Sequence, residues 1–294
     1  MKHMELRRGV KLQNGKYKIR ETIGQGGFGY TYLAEHCLVK QKVAIKELFV
    51  YDKCSRALSS DVHWPIDPLG ILYSMGIKAS FLREVKTLWK LRQSHIVHVM
   101  DAFEENNTIY CVMEYLNGRT LKQILEDEGA LSEDRAVAYI KQVAKGLRYL
   151  HRRHRYHLDI KPGNVIVDSR GYAYIIDFGA CIHLGTDGES TSRPQYQFTP
   201  HFAPYEIETL DQPCAASDVY SLGATLYTLL TNKIPTDAVL RMEGIKHLEP
   251  LPNTISQELR EIVEKAMRKR ARNRYQTMDT FLSKLESLNK KKQH

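Results

Sequence analysis

The sequence predicts an α+β protein of two lobes, a small β-rich lobe with one main helix followed by a larger, mainly helical lobe. Two patterns lead to this prediction. Up to about residue 115, short runs of β-branched and aromatic residues are separated by glycines or polar residues, which is typical of strands. After Gly118, apolar residues recur every three or four positions, as they do on the buried face of a helix. The segment 114–118 between the two patterns is predicted as a polar hinge.

The first lobe is predicted to contain five strands and one helix. Residues 51–79 contain two prolines and two glycines with little periodicity, and they are predicted as a long inserted loop. The helix 80–92 follows this loop. Its predicted buried face consists of Phe81, Val85, Leu88 and Trp89. The predicted strands are 17–23, 30–36, 42–50, 97–104 and 108–115.

The second lobe is predicted to be built around two helices. One follows Ser132, its predicted N-cap, and buries one apolar face. The other, 217–232, is apolar almost all round after its predicted cap Ser217, which places it at the centre of the lobe. The buried face of the first helix is predicted to contain Ala136, Ile140, Val143, Leu147 and Leu150. Two further helices are predicted over 255–271 and 279–288.

The composition excludes several classes of protein. Of the 294 residues, 43% are hydrophobic and 26% are charged, which suits a globular protein. No apolar run is long enough for a membrane span, and the first residues lack the apolar core of a secretory signal. We therefore expect a cytoplasmic protein, although a fragment of a longer membrane protein would share these features. The five cysteines are scattered without a CxxC pair, which argues against a disulfide framework and a zinc site.

The net charge of +9 comes largely from basic runs at 150–155, 267–274 and 289–294. A nucleic-acid or acidic-membrane surface would explain such runs, and so would solvated helix ends. No pattern of base-stacking aromatic residues accompanies them. We therefore expect no specific nucleic-acid partner.

The stretch GQGGFGYT, residues 24–31, lies between two predicted strands. This placement favours a glycine-rich hairpin over a dinucleotide-binding turn, which would open a helix. Gly24, Gly26 and Gly29 would let the backbone approach a triphosphate closely, with no side chains in the way. Taken alone, the motif is more typical of an ordinary hairpin.

Lys46 lies in the apolar strand-like stretch VAIKE. A lysine on an edge strand can reach solvent, whereas a lysine inside an apolar strand needs a partner. Glu84, in the helical stretch FLREV, is the candidate partner. Such a pair would hold the ammonium group against phosphate oxygens.

The stretch HLDIKPGN, residues 157–164, is predicted as a loop because a Pro-Gly pair interrupts it. This loop can direct Asp159, Lys161 and Asn164 the same way. A carboxylate can accept a hydroxyl proton, a lysine can neutralise phosphate charge, and an amide oxygen can bind Mg²⁺. Asp177 ends the apolar run AYIID before a Phe-Gly turn, where it is well placed as a second metal ligand.

The motifs G-x-G-x-x-G, VAIK, a helical glutamate, H-x-D-x-K-x-x-N and DFG occur in this order. On these motifs, the sequence resembles a eukaryotic-type (Hanks-class) serine/threonine protein kinase, and GGFGYTYLAE is similar to bacterial members. The resemblance implies the protein-kinase-like bilobal fold. The implied segments are an N-terminal extension 1–16, a kinase domain 17–287 (N-lobe 17–113 with the insertion 51–79, hinge 114–118, C-lobe 119–287) and a basic tail 288–294.

The resemblance also implies an activity, the transfer of the γ-phosphoryl group of ATP to serine or threonine hydroxyls of protein substrates. Mg²⁺ would be the metal cofactor, with Mn²⁺ as an alternative. The implied catalytic residues are Asp159, Lys161, Lys46 and Glu84, and the implied metal ligands are Asn164 and Asp177. The implied ATP-binding residues are Ile23, Gly24, Gln25, Gly26, Gly27, Phe28, Gly29, Thr31, Ala44, Lys46, Met113, Glu114, Leu116 and Ile166.

Other positions match structural parts of the family. Thr199 fits the loop that contacts the substrate, and Glu206 fits the end of the activation segment, although this chain reads P-Y-E where the family has A-P-E. By resemblance, Arg274 would pair with Glu206 and Asp218 would steady the catalytic loop. The remaining matches are Phe178 and Gly179 of the DFG motif, and an expected stack of Leu88, His157 and Phe178.

Leu158 departs from the family, which usually has arginine between the histidine and the aspartate. That arginine commonly pairs with a phosphorylated residue of the activation segment. Leucine cannot do so, and we therefore expect a non-RD kinase whose segment 177–206 needs no phosphorylation. The hydroxyl residues that can be modified there are Thr186, Ser190, Thr191 and Ser192.

The insertion 51–79 separates Lys46 from Glu84 by 38 residues, more than the family ordinarily shows. A surface loop would explain it, since long insertions cost little closure entropy. The segment is nevertheless apolar for a solvated loop. Its large apolar residues are Trp64, Ile66, Leu69, Ile71, Leu72 and Tyr73. We hypothesise that it packs near the Glu84 helix or docks a regulatory partner.

Three alternatives stay open on the sequence alone. A pseudokinase or nucleotide-binding scaffold would explain Leu158 and P-Y-E, but the presence of every implied catalytic and metal-binding residue argues against it. A small-molecule phosphotransferase shares the fold, whereas Lys161 and TPHFAPYE favour a protein substrate. A nucleic-acid binder rests on net charge alone. The substrate, the activating signal and the oligomeric state are not predicted.

Overall fold

The computed structural model describes residues 4–26, 29–57, 59–183, 198–209 and 212–291. The chain divides into two compact units. The first contains the described residues up to Arg92, together with Val97–Leu116. The second contains Gln93–Ile96 and the described residues from Asn117 onward. None of the described helices combines the length and the apolar character needed to cross a membrane.

The first unit is built on an antiparallel sheet and one long helix. Its elements are β1 (Lys11–Leu12), β2 (Tyr17–Gly26), β3 (Gly29–His36), β4 (Gln41–Leu48), β5 (Ser55–Arg56), β6 (Val62–His63), α1 (Pro68–Trp89), β7 (Val99–Glu105) and β8 (Thr108–Glu114). Six strands form the sheet in the order β1-β2-β3-β4-β8-β7, and β5 pairs with β6 in a separate ribbon. The five predicted strands of this lobe correspond to β2, β3, β4, β7 and β8.

Two positions near hairpin ends in this sheet explain local sequence choices. Gly26 pairs with Gly29 at the end of the β2–β3 hairpin. Gly29 has φ +151°, and a Cβ atom there would lie 1.7 Å from the carbonyl oxygen of Glu47, so this position requires glycine. Asn106 and Asn107 connect β7 to β8 with φ values of 50° and 55°. Positive φ at both positions matches the twist of a two-residue hairpin, and asparagine tolerates it.

One face of the sheet is covered by the insertion and by the chain before β1. Glu47 of β4 and Tyr110 of β8 point into this covered side, where both are fully buried. The buried members of this outer cluster are Leu6, Leu12, Tyr17, Ile19, Tyr30, Tyr32, Ala34, Val43, Ile45, Phe49, Val50, Cys54, Val62, Tyr110 and Val112. Part of the insertion is therefore core of the first unit.

The prediction of 51–79 as one long loop was wrong. The segment contains the β5-β6 ribbon, and α1 begins at Pro68 instead of residue 80. The side chain of Asp67 accepts a hydrogen bond of 3.0 Å from the backbone N–H of Gly70, which caps the helix, and proline suits a first helical turn. Gly70 and Gly76 obscured the helix in the sequence because glycine is a poor helix former.

The buried face of α1 was predicted correctly except for one residue. Phe81, Val85 and Leu88 are buried, whereas Trp89 is 47% exposed. At 100° per residue, Trp89 lies roughly 70° from the centre of the stripe formed by the other three, at the end of the helix. The assignment of Trp89 to the core was therefore wrong.

The second unit is mainly helical. Its elements are β9 (Gly118–Thr120), α2 (Leu121–Glu128), α3 (Glu133–His151), β10 (Arg155–Tyr156), β11 (Val165–Asp168), β12 (Ala173–Ile175), β13 (Ile182–His183), α4 (Tyr205–Glu208), α5 (Ala215–Thr231), α6 (Ala238–Met242), α7 (Gln257–Ala266) and α8 (Met278–Lys291), with 3₁₀ turns at Pro162–Asn164 and Ala271–Asn273. Three strands form a small sheet in the order β12-β11-β9, and β10 pairs with β13.

Two helices form the core of this unit. The five residues predicted for the buried face of α3 are all buried, and α5 is buried along nearly its whole length. The prediction that Ser217 is the N-cap of α5 was wrong. The cap is Cys214, and the Ser217 hydroxyl accepts a hydrogen bond of 3.2 Å from the Cys214 backbone N–H. Cysteine is not among the usual capping residues, which explains the error.

Candidate active site

Strand pairing places several predicted nucleotide-binding residues on one face of the first unit's sheet. Thr31 pairs with Lys46, and Ala44 pairs with Met113. Residues two apart on a strand share a face, so these four side chains lie on the face opposite Glu47. Ala44 and Met113 are buried, so the part of this face next to the lysine is apolar.

Lys46 and Glu84 form an ion pair of 2.9 Å between Nζ and Oε1. Their side chains are 17% and 10% exposed, so the pair is largely shielded from solvent. The ring of Phe81, one turn before Glu84 on α1, lies 5.8 Å from Nζ. The long separation in sequence therefore closes into a direct contact, with α1 supplying the carboxylate.

The remaining predicted nucleotide-binding residues lie in both units. In the first, the end of β2 carries Ile23, Gly24, Gln25 and Gly26, and the beginning of β3 carries Gly29. Glu114 donates its backbone N–H to the carbonyl of His98 (3.0 Å), and Leu116 follows it, partly exposed. In the second unit, Ile166 lies on β11. Gly27 and Phe28 lie outside the described residues.

Asp159 is the centre of a hydrogen-bonded cluster in the second unit. Its Oδ1 accepts from the Thr199 hydroxyl (2.6 Å), and its Oδ2 accepts from Lys161 Nζ (2.8 Å) and from Asn164 Nδ2 (2.9 Å). Lys161 also donates to the Thr199 hydroxyl. The Asp159 side chain is 15% exposed. The cluster places a carboxylate next to an ammonium group. A carboxylate can accept a proton from a hydroxyl, and an ammonium group can bind a phosphate.

Asp218, at the start of α5, holds the backbone before this cluster. Its carboxylate accepts the N–H groups of His157 (2.9 Å) and Leu158 (2.8 Å), and it lies 2.7 Å from His151 Nε2. Burial by itself would raise the pKa of Asp218, but the hydrogen bond to the His151 side chain, the electrostatic effect of both imidazole rings and the hydrogen bond from the His157 backbone outweigh it and lower that pKa. The residue stays a charged acceptor for the loop.

The two predicted metal ligands lie close together in the backbone framework. Ile176, next to Asp177, donates its N–H to the carbonyl of Asn164 (3.1 Å). Asn164 Nδ2 is bonded to the main chain and carboxylate of Asp159, so its amide oxygen faces the other way. Asp177 Oδ1 accepts from Gly179 N–H (3.2 Å).

This donor set fits a hard divalent cation. A carboxylate and an amide oxygen are the ligands that Mg²⁺ prefers, and that ion commonly takes its other ligands from phosphates and water. No group of three or more His, Cys, Asp or Glu side chains arranged for a metal occurs within the described ranges. The residues therefore suit an ion that arrives bound to a nucleotide. They suit less well an ion that is enclosed by protein ligands alone.

Leu158 lies in an apolar cluster of the second unit. It is 1% exposed and is clustered with Ile182, Ala203 and Ile207, with Phe198 packed against the group. Its φ of +64° is unusual for a bulky residue. The hydrogen bond to Asp218 helps to hold this conformation.

Glu206 and Arg274 form a bidentate ion pair, with contacts of 2.6 Å and 3.0 Å. The Ser217 hydroxyl donates to the same carboxylate (2.9 Å). Arg274 is 3% exposed, and Glu206 belongs to α4. The pair ties the segment after Thr199 to the helical core of the unit.

Two members of the predicted stack, His157 and Phe178, lie in the second unit. His157 and Phe178 have ring centroids 4.9 Å apart, and burial lowers the pKa of His157. Leu88 is buried in α1 of the first unit, and its stacking with these two rings stays a prediction. The predicted modification sites Thr186, Ser190, Thr191 and Ser192 lie outside the described residues.

Sequence reasoning missed two sets of residues. His151 contacts Asp218 across 67 positions, and nothing in the sequence paired these two residues. The Glu47 carboxylate accepts the hydroxyls of Tyr32 and Tyr110, both at 2.7 Å. Arg56 of the insertion completes this buried network at 2.6 Å. A glutamate next to Lys46 in an apolar strand was a signal that it, too, needed a partner.

Comparison with known proteins agrees with this geometry. A model described as protein kinase domain matches residues 17–285. A probable serine/threonine-protein kinase of Clostridium acetobutylicum is 27% identical over 288 residues, which are 95% of this chain and 41% of the relative. The serine/threonine-protein kinase PrkC of Bacillus subtilis is 29% identical over 282 residues, 92% of this chain and 40% of the relative.

A solved structure titled PpkA-294 apo form superposes with a TM-score of 0.83 at 25% identity, covering 96% of this chain and 99% of that one. The chain spans about two fifths of the length of the two curated relatives. The matched family model nevertheless covers nearly all of this chain, and the fold is that of the family. The chain belongs to the protein kinase domain family.

Proposed function

We propose that this chain transfers the γ-phosphoryl group of ATP to serine or threonine hydroxyls of proteins. The observation that carries the proposal is the cluster in which Asp159 binds Thr199, Lys161 and Asn164. Phosphoryl transfer needs little covalent chemistry from the protein and depends on positioning and electrostatic stabilisation. The groups that would do this are present in both units.

The first unit supplies the residues that position the nucleotide. Lys46 binds the α- and β-phosphates, and Glu84 keeps its ammonium group in place through the 2.9 Å pair. Ala44 and Met113 form the apolar surface for the adenine ring, and the glycines at the end of β2 leave room for phosphates. Among the described residues, none has a heavy atom within 4 Å of a Cβ built on Gly26, which supports this role.

The second unit supplies the residues that direct the acceptor. Asp159 orients the substrate hydroxyl and accepts its proton late in the transfer. Lys161 neutralises charge on the transferred group. Asn164 and Asp177 would hold Mg²⁺, which would offset negative charge on the phosphates. Mn²⁺, which also accepts carboxylate and carbonyl oxygens, is the proposed alternative.

Thr199 supports a serine or threonine acceptor. Its hydroxyl binds both Asp159 and Lys161, so it closes the ring of groups around the position of the incoming hydroxyl.

The proposed kinase domain runs from 17 to 287, with the hinge at 114–118. A regulatory partner at the insertion stays a prediction. The apolar residues of the insertion that such a partner could contact are exposed at the start of α1.

We propose further that this is a non-RD kinase, controlled by means other than activation-segment phosphorylation. The support is the apolar cluster of Leu158 with Ile182, Ala203, Ile207 and Phe198. These residues flank the described ends of the segment, so burial of apolar surface takes the place of an arginine–phosphate pair. Alanine at Thr186, Ser190, Thr191 and Ser192 together should leave activity intact. Loss of activity in a folded variant of this kind would contradict the proposal.

Acceptor specificity is tested by offering two classes of hydroxyl. Purified chain is incubated with labelled ATP and Mg²⁺, once with a generic basic protein and once with an aminoglycoside. The proposal expects phosphoserine and phosphothreonine in the protein after acid hydrolysis. Transfer to the small molecule alone would favour a small-molecule phosphotransferase, and ATP binding without any transfer would favour a pseudokinase.

A further inference from the structure

The insertion is bonded to the turn between β7 and β8. The backbone N–H of Val62 donates to the carbonyl of Asn106 (2.8 Å), and Asn107 Nδ2 donates back to the carbonyl of Val62 (2.9 Å). The indole N–H of Trp64 donates to the carbonyl of Asn107 (3.0 Å). These three bonds make the β5-β6 ribbon an extension of the β7–β8 hairpin.

The same ribbon is anchored to the strand that carries Lys46. Arg56 of β5 forms the buried ion pair with Glu47, the residue after Lys46 on β4. It also donates to the carbonyls of Met4 (2.7 Å) and Ser60 (2.8 Å). The ribbon therefore cannot shift without disturbing β4.

Lys78 joins α1 to this anchored ribbon. Its Nζ lies 5.4 Å from the centroid of the Trp64 ring, within the range of a cation–π contact. The same Nζ donates to Asn107 Oδ1 (3.4 Å). Ile77, the preceding residue, packs against the outer cluster. The part of the insertion before α1 thus contacts the middle of this helix through Lys78, a residue that the sequence did not single out.

The position of this contact relative to Glu84 gives it a consequence for the active site. Lys78 precedes Glu84 by six residues, about 9 Å along the axis of a straight helix. The helix is held to the sheet by Lys78 on one side and by the Lys46–Glu84 pair on the other. A helix that swings away at Lys78 would draw the Glu84 carboxylate away from Lys46.

We infer that Trp64 and Lys78 are positioning residues for phosphoryl transfer, because they brace α1 so that Glu84 stays within ion-pair distance of Lys46. The inference rests on the proposed kinase activity for its catalytic consequence. The mechanical part, that the contact restrains α1, does not depend on catalysis. The insertion is then a built-in support of the active arrangement of the first unit.

The test compares Lys78→Ala with Lys86→Ala. Lys86 is a lysine on the same helix and is exposed, so it is a matched control for loss of charge and side chain. Lys78→Arg is the rescue variant, since a guanidinium also stacks on an indole ring. Each variant is made in the full chain and, for Lys78→Ala, also in a Glu84→Gln background.

Two readouts are used. Backbone amide hydrogen exchange across α1 needs no catalysis, and we expect faster exchange around Glu84 in Lys78→Ala but not in Lys86→Ala or Lys78→Arg. In steady-state kinetics, we expect kcat/KM for ATP to fall about fivefold to tenfold in Lys78→Ala, a factor that corresponds to roughly 1 to 1.4 kcal/mol. In the Glu84→Gln background, the same substitution should cause no further loss.

The outcomes separate the brace from a general effect on stability. Equal exchange in Lys78→Ala and Lys86→Ala would overturn the inference, whatever the activity. So would an equal kinetic loss with and without Glu84, since a purely structural role would act in both backgrounds. Absence of phosphoryl transfer in the unaltered chain would instead contradict the proposed function, and the exchange comparison would still decide whether α1 is braced.

Discussion

Arg56 and Glu47 form an ion pair inside the first unit, with 2.6 Å between Nη2 and Oε2 and with 4% and 0% of the two side chains exposed. Two tyrosine hydroxyls, from Tyr32 and Tyr110, share the same carboxylate. Burial raises the pKa of both tyrosines, and the negative charge of Glu47 raises it further. Both hydroxyls therefore stay protonated and donate to Glu47. The network joins the insertion to the sheet.

Removing the cation from this network should be costly. We expect Arg56→Met to lower the free energy of unfolding by about 3 to 5 kcal/mol, because Glu47 would be left buried without its counter-ion. Urea denaturation measures the change. Lys233→Met, which breaks an exposed pair with Glu249 (64% exposure on both sides), should lower the free energy of unfolding far less, because solvent screens such a pair. Similar losses in the two variants would contradict the assignment.

Leu158 should contribute to stability through packing. We expect Leu158→Ala to lower the free energy of unfolding by about 2 to 4 kcal/mol, because it leaves a cavity beside Ile182 and Ile207. Leucine and alanine tolerate a φ of +64° equally poorly, so the loss of stability measures the lost side-chain volume and not a change in backbone strain. Leu158→Met keeps the volume and should cost about 1 kcal/mol or less. A loss in Leu158→Ala no larger than in Leu158→Met would count against the apolar cluster.

Much of the fold was predictable because it follows from local patterns. The strands around Lys46 and the buried face of α3 show their periods directly in the sequence. The start of α1 was missed, although Asp67 and Pro68 form a capping signal, because two glycines follow it. Cys214 was missed as a cap because cysteine rarely fills that role. These errors concern positions where tertiary context overrides local preference.

Glu208 should make stability depend on pH. Burial, reinforced by the nearby charge of Asp237, raises the pKa of Glu208 from 4.5 to about 7. Its Oε1 is buried and accepts no hydrogen bond from any described residue. The folded state therefore binds more protons than the unfolded state between these pH values, and the stability contribution of this group falls as pH rises from about 4.5 to about 7.

We expect Glu208→Gln to raise the free energy of unfolding at pH 8 by about 1 to 2 kcal/mol. This is less than the raised pKa of Glu208 would give for a fully buried group, because the carboxyl is partly solvated. At pH 4.5 the variant and the unaltered chain should be nearly equal. Denaturation at the two pH values measures this, with Glu264→Gln, an exposed position on α7, as the control. A variant that is no more stable at pH 8 would show that Glu208 is not strained in its ionised form.

Asp218 should be required for the geometry of the catalytic loop. We expect Asp218→Asn to lower kcat by about tenfold to a hundredfold, because a hydrogen bond to a charged group contributes about 1.5 to 3 kcal/mol and the amide presents one oxygen where the carboxylate presents two. KM for ATP should change little, since Asp218 lies in the second unit and the Lys46–Glu84 pair in the first. Unchanged kcat in a folded variant would contradict the positioning role.

The site was less predictable than the fold, for a physical reason. The motif residues could be recognised because phosphoryl transfer needs particular groups at particular spacings along a loop. The groups that hold them come from elsewhere in the chain: His151 reaches Asp218 from α3, and Lys78 reaches Trp64 from the far part of the insertion. Such partners are selected by packing in three dimensions, so their spacing in the sequence carries no signal.

The central claim is tested most directly by phosphoryl transfer from labelled ATP with Mg²⁺, comparing the unaltered chain with Asp159→Asn and Asp127→Asn. Asp127 pairs with Arg119 on the surface, where its side chain is 59% exposed, so its variant controls for loss of a carboxylate. The account predicts label on a protein acceptor with the unaltered chain and with Asp127→Asn, and at least roughly a hundredfold less with Asp159→Asn. Equal labelling by Asp159→Asn, or no labelling by the unaltered chain although it binds ATP, would contradict it.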